Sequence, residues 1–460
     1  MKSFTRYILI SPVKLASWII LSISILNYSC SDPATVGLEL APGNNQIGVF
    51  SKEFDLNSTV VLMDSFETTT NPIKRGILLA GHEQDSFFGI TEAKSYSRLS
   101  FNPTAALPTS QSIYDSAIFL IDVISVNGVA LDKKKFYSVH RLEEQILDTT
   151  YYNFDKLRFN AAPIASGEVI FGDTKDTTIQ IKVIPEFAEE IFDLLVKRTV
   201  FSNLFTFRDY LPGIAIKSRA GDNTTIGFQQ GQNTGFIFYY HSLGDTVPIS
   251  YALTTSRSTG FVGIESNRLG TPTQKVVDYG VAYDVGEKVG VKANLGMVLK
   301  IDTSPFDQFL DTLTGVTFNQ VEFEIGKIDS YPETQNPLSS GYLYMTKQSN
   351  KFIRRSVDKN PIAVQITGQS QVELDANGNT IPAVLRRAQV TFNKTSGVYR
   401  VDISSYMNAI YRNALIREDW LFYGGIVANG SEDDDFKKSL RQFVVDKNKV
   451  KVKIIYSKIR

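Results

Sequence analysis

The sequence predicts an all-β fold with a few short helices, arranged as two tandem jelly-roll-like antiparallel β-sandwiches. Three observations carry this. Short segments of alternating apolar and polar residues, separated by turn residues, fill most of the chain. The composition holds 30 Phe and 21 Tyr against 2 Trp, with frequent Thr, Val and Ile, the residues that suit a pleated, half-buried surface. Only two stretches keep a helical period, too few for the crossovers of a parallel sheet.

The first thirty residues read as an export signal. Lys2 and Arg6 precede an apolar run from Leu15 to Leu26, and the single cysteine, Cys30, follows it. The run is about half of the roughly 20 residues that a membrane span needs. Residues 1–29 are therefore expected to be a lipoprotein signal peptide, Cys30 the lipidation site, and residues 30–49 the lipidated tether into the first strand. Of the three residues before the cysteine, Asn27, Tyr28 and Ser29, only Ser29 matches the small residues usual at a lipid-attachment site. With one cysteine there is no intrachain disulfide framework. Lys+Arg and Asp+Glu both number 48, so no overall field favours nucleic acid.

The first sandwich is expected over residues 50–245. Val123 to Leu131 reads as a hairpin turning at Asn127-Gly128, whose residue types accept positive φ. Lys133-Lys134-Lys135 beyond it reads as a solvated edge. Thr178 to Val183 leads into the helix Glu186 to Val196, followed by strands at Tyr210 to Ile216 and Gly235 to His241. Residues 246–284, with Pro248, Pro272 and Thr-Ser-rich stretches, read as a linker in which Val276 to Tyr283 could form an edge strand. The second sandwich is expected over residues 285–460. It repeats the succession: Phe318 to Ile325, Val398 to Ile403, a helix from Ser404 to Ile416, then Phe422 to Val427 and Val450 to Tyr456. A second turn falls at Asp375 to Asn379. In the last strand Val450, Val452, Ile454 and Tyr456 face one way, and Lys449, Lys451 and Lys453 the other. Matched segments stand about 200–220 positions apart in one order, the mark of an internal duplication.

Leu79-Ala80-Gly81-His82-Glu83-Gln84-Asp85-Ser86-Phe87-Phe88-Gly89 resembles the G…D…FG signature of an outer-membrane lipoprotein family of Bacteroidota-type bacteria, a family of unknown function. Asp115-Ser116-Ala117 and Tyr239-Tyr240-His241 are similar to it as well. The resemblance implies an outer-membrane lipoprotein displayed at the cell surface, with the periplasmic face as the other placement. It also implies association with the machinery that assembles outer-membrane barrels, and it brings no catalytic residues.

Chemistry-bearing motifs are few. The histidines are His82, His140 and His241. No Gly-x-Ser-x-Gly elbow or His-Glu-x-x-His helix occurs. His82-Glu83 reads as part of a polar turn, and His241 as a strand end. The acidic run Glu432-Asp433-Asp434-Asp435 offers oxygens for calcium, but it lacks the alternating spacing of a calcium loop and reads as a solvated loop. Glu143-Glu144 and Glu189-Glu190 are adjacent pairs that do not face each other on a helix. Phe201, Phe205 and Tyr210 after the first helix, and Trp420 and Tyr423 at the matching place in the second half, are candidates for a partner or glycan surface; shared core is the competing reading.

The expectation is thus a non-catalytic lipoprotein without cofactor, tethered to the membrane through Cys30. It would act as a structural or interaction subunit of the cell envelope beside an outer-membrane barrel protein. The alternative is a glycan-binding surface lipoprotein.

Overall fold

The computed structural model describes residues 47–459, apart from 66, 72–75, 175 and 428–434. Cys30, the signal and most of the tether lie outside the described residues, as does the acidic run apart from Asp435. The chain is all-β with short helices. In order, its strands are β1 (Ile47–Asp55) and β2 (Ser58–Leu62); β3 (Ile77–Asp85), β4 (Gly89–Ser97), β5 (Ser100–Phe101), β6 (Ser112–Gly128), β7 (Lys135–Leu142), β8 (Phe159–Val169), β9 (Thr177–Val183), β10 (Ile214–Ser218), β11 (Thr224–Gln229) and β12 (Gly235–Ser242). Then come β13 (Ile249–Thr254) and β14 (Gly260–Asn267); β15 (Ala282–Tyr283), β16 (Lys288–Lys292), β17 (Met297–Ile301), β18 (Val316–Ile325), β19 (Ser340–Thr346), β20 (Val372–Leu374), β21 (Thr380–Pro382), β22 (Gln389–Asn393), β23 (Val398–Asp402), β24 (Asp419–Tyr423), β25 (Gln442–Asp446) and β26 (Val450–Ile459).

Two large antiparallel sheets result. One runs β11-β3-β4-β10-β7-β8-β9-β6-β12-β13-β5, the other β25-β16-β17-β24-β19-β22-β23-β18-β26-β1. Counting along the chain from β3 and from β16, with the two-residue strand β5 and the small separate hairpin β20–β21 set aside, the order of the nine strands from β11 to β12 equals that from β25 to β26. The duplication expected from the sequence is therefore written in the strand order. The expected helices also sit at equivalent places. Helix Pro185–Lys197 starts on Pro185, carries Glu186 in its first turn and ends on Arg198 in the left-handed conformation. It buries Phe187, Ala188, Ile191, Phe192 and Leu195 as one stripe. Its counterpart Ser404–Tyr411 is shorter than expected, because Asn413 has φ 55°.

The first unit differs from the expected open sandwich, because its sheet closes. β11 pairs with β3 on one side and with β6 on the other, so eight strands form a ring. The length of β6 makes this possible: its middle pairs with β9 and its end with β11. The Asn127-Gly128 turn is corrected accordingly, since both residues lie inside β6. Gly128 is needed there for close approach, because a side-chain carbon would lie 2.5 Å from the Asn223 carbonyl oxygen. In the second unit the seam between β18 and β25 carries no ladder among the described residues, and one backbone bond, Asp329 N–H to Val444 O at 2.8 Å, spans it.

The borders at residues 50 and 246 are corrected too. β1 and β2, which precede the first unit, pair with β26 and β17 of the second. β13 and β14, inside the expected linker, pair with β12 and β4 of the first. These pairings are equivalent: β1 is to β26 as β13 is to β12, and β2 is to β17 as β14 is to β4. The two repeats have exchanged their leading strand pairs. Aromatic pairs mark both exchanges, Phe50 on Tyr456 at 5.4 Å between ring centroids and Tyr96 on Phe261 at 4.7 Å.

Candidate functional site

The segment from Leu79 to Gly89 forms the junction between the repeats. His82 and Glu83 belong to β3 and not to a turn; the turn proper is Ser86-Phe87-Phe88. The Asp85 carboxylate accepts the backbone N–H groups of Phe87 at 2.8 Å and Phe88 at 2.6 Å, which folds the turn tightly. Gly89 follows at φ 73°, with Asn267 so close that a side-chain carbon would lie 2.3 Å from its carbonyl oxygen. Phe87 and Phe88, edge to face at 4.9 Å, are thereby pushed into the core of the second unit, among residues such as Val289, Val291 and Phe443. Thr273 clamps the turn by donating to the Phe87 carbonyl at 2.8 Å.

Beneath this turn lies a buried ion pair. Lys292, at the end of β16, is fully buried and Glu83 nearly so, with Nζ 2.9 Å from Oε2. The other oxygen, Oε1, accepts from Thr225 at 2.7 Å. Lys292 also donates to Gln442, stands 3.7 Å from Asp85 Oδ2, and lies 5.7 Å from the centroid of the Phe88 ring. Each charge is thus hydrogen-bonded on several sides, the condition under which burial is tolerated. Lys292 and Glu83 themselves are closed off from solvent. The 380 Å³ cleft beside it is lined by Asp85, Ser86, Lys288, Asp329 and Gln442 among others. Its exposed charges neutralise one another, Lys288 lying 2.6 Å from Asp329.

The candidate aromatic residues are not brought together. Phe201 is buried against Phe101 and Phe207. Trp420 is fully buried among Phe306, Phe323 and Tyr406, and Tyr423 is buried against Phe352 and Phe436. Tyr210 is half-buried, its hydroxyl on Glu190 and its ring under Arg141 at 4.6 Å, and burial pushes its hydroxyl up to about 12. Phe205 alone is well exposed, at 80%. The lysine run is corrected at its last member, Lys133 and Lys134 being exposed as expected. Lys135 is buried and donates to the carbonyls of Val129 at 2.8 Å and Asp222 at 2.6 Å, and burial holds its ammonium below the usual lysine range.

Several exposed apolar residues lie at the tip formed by β6, β12 and β13. Leu243 (71% exposed) and Val247 (61%) lie in the β12–β13 turn, and Ile113 and Ile249 lie on the flanking strands. The tip is ordered. Asp245 accepts from the N–H groups of Thr246 and Val247, Leu243 N–H donates to the Gln111 carbonyl at 2.7 Å, and His241 Nδ1 lies 2.7 Å from Asp115. Its signal in the sequence is the Leu243-Gly-Asp-Thr-Val247 turn, apolar at both ends, which straddles the expected border between first sandwich and linker.

Among the described residues no three metal-binding side chains cluster, and no helix is long and apolar enough to cross a membrane. No family model, curated protein or solved structure matches this chain.

Proposed function

We propose that this protein is a non-catalytic lipoprotein of the bacterial outer membrane, held by a lipid on Cys30. In this reading it is a rigid interaction subunit beside an outer-membrane barrel protein or the barrel-assembly machinery. The observation that carries the docking role is the ordered apolar tip at Ile113, Leu243, Val247 and Ile249. Apolar side chains exposed on a structured turn, Leu243 and Val247 foremost, suit a protein partner recognised by shape and apolar contact. The exchanged strands and buried junction support rigidity. The sixteen residues between Cys30 and Ile47 allow a reach of up to ~55 Å from the membrane. Of the five aromatic residues offered for the glycan alternative, Phe201, Trp420 and Tyr423 are buried and Phe205 is well exposed, which leaves that reading a smaller surface than the docking role.

Gentle detergent extraction followed by affinity purification tests the proposal. A barrel protein is expected at near-equal amounts with the wild type and is expected to be lost with Leu243→Asp/Val247→Asp. Recovery of the lipoprotein alone counts against the docking role. Metabolic labelling with a fatty-acid probe tests the anchor: label is expected on the wild type and absent from Cys30→Ala. Protease treatment of intact cells reports the leaflet.

A further inference from the structure

We infer that this chain is built as a fused, strand-exchanged pseudo-dimer, in which Asp85 and Lys292 direct each repeat onto the other repeat and away from a like repeat of a second copy. The two hairpins that meet at the junction are equivalent in the duplication, β3–β4 in one repeat and β16–β17 in the other. Each reaches a left-handed glycine at the same spacing after its charged residue: Asp85 to Gly89 with φ 73°, and Lys292 to Gly296 with φ 81°. Asp85 and Lys292 are therefore matching positions of opposite charge, 3.7 Å apart. Glu83 strengthens the acidic side with its 2.9 Å contact to Lys292.

Pairing of like repeats has a defined consequence. Two copies joined through their first repeats would bring Glu83 and Asp85 against the same carboxylates, with no cation between them. Two joined through their second repeats would bring lysine against lysine. Unpaired like charges in a dry interface are strongly unfavourable, and such contacts reject a wrong partner more sharply than apolar surface does. The exchanged strands discriminate less. β1–β2 and β13–β14 meet equivalent strands through backbone ladders, which either repeat can supply, and the ion pairs at these seams, Glu53 with Lys451 at 2.7 Å and Glu265 with Lys94 at 3.2 Å, have half-exposed carboxylates and contribute little. Tandem repeats with exchangeable strand pairs are prone to swap between copies, so a chain of this design needs a discriminating contact.

The test is refolding of the mature chain from denaturant at low to high micromolar concentration, read by gel filtration with light scattering and by the thermal midpoint. The wild type is expected to refold as a monomer throughout. The neutral variant E83Q/D85N/K292Q is expected to yield a dimer whose share rises with concentration, where the wild type shows none. E83K/D85N/K292E, which restores opposite charges in reversed order, is expected to return to monomer. A neutral variant that loses stability yet refolds only as monomer overturns the inference, as does a reversed variant that dimerises like the neutral one. Where the neutral variant fails to fold, Asp85→Asn alone, which keeps the Glu83–Lys292 contact, is expected to show a smaller dimer share. Its remaining monomeric at the highest concentration overturns the inference.

Discussion

At the scale of single residues, the buried ion pair of Glu83 and Lys292 sets a large energetic stake. Lys292→Met leaves a buried carboxylate with its cation removed, which is expected to cost ~3–5 kcal/mol. Glu83→Met/Lys292→Met removes both charges together and is expected to recover most of that loss; urea denaturation of the three proteins measures it. His140 governs a pH effect. Its Nδ1 lies 2.8 Å from the Asn160 carbonyl and its Nε2 2.9 Å from the Ser138 hydroxyl, so a neutral ring that donates at Nδ1 and accepts at Nε2 satisfies both. Burial holds the imidazole below its ordinary value of 6.5; the Asn160 carbonyl opposes this and the charge of Lys217 adds to it. The unfolded chain therefore binds this proton more readily than the folded one, and stability falls as pH drops below about 6.5. The urea midpoint is expected to decrease between pH 7.5 and 5.5, and His140→Phe to flatten that decrease. Single residues were also the hardest level to read from sequence. Lys292 stands in an apolar Val-Gly-Val-Lys-Ala run, a hint of burial, but its partner Glu83 is remote in the chain and only the fold brings them together.

At the scale of elements, periodicity was legible and partnership was not. The alternation of β26 holds in the structure, with Val450, Val452 and Ile454 buried. The Asp375 turn holds too, closed by Asp375 N–H to the Asn379 carbonyl at 2.9 Å and by Gly378 at φ 80°. Asn127-Gly128 misled because glycine serves two purposes, positive φ in a turn and close backbone approach in a strand, and residue type does not distinguish them. β13 and β14 read as a linker because they are short and flanked by Pro, Gly and Ser, although Tyr251 and Leu253 are buried in alternation. The turn at Gly89 supplies the element-scale prediction. Gly89→Ala meets both an unfavourable φ and the Asn267 carbonyl oxygen 2.3 Å from the new carbon. Relief would shift β14 and lift Phe87 and Phe88 from the second core. A loss of more than ~1 kcal/mol, the scale of positive-φ strain alone, is expected in urea denaturation, with new protease cleavage near the turn.

At the scale of the whole molecule, the exchange of strand pairs makes the repeats inseparable without breaking two sheets. The first strands of the chain complete the sheet that its last strand belongs to, and the segment between the repeats completes the first sheet. A cut in the exposed turn at Leu269-Gly270 is therefore expected to leave one particle. With a protease site placed there, the two pieces should elute together in native buffer and unfold in a single transition. Contact across the junction alone could hold the pieces together, so a cross-link distinguishes the cases. Phe50 and Tyr456 face each other across β1 and β26, at a spacing compatible with a disulfide. In a Cys30→Ser background, Phe50→Cys/Tyr456→Cys should oxidise and join the cut pieces at full mass on an unreduced denaturing gel, with reductant separating them. If β1 instead completed its own repeat, residue 50 would be far from residue 456 and the pieces would separate with or without reductant.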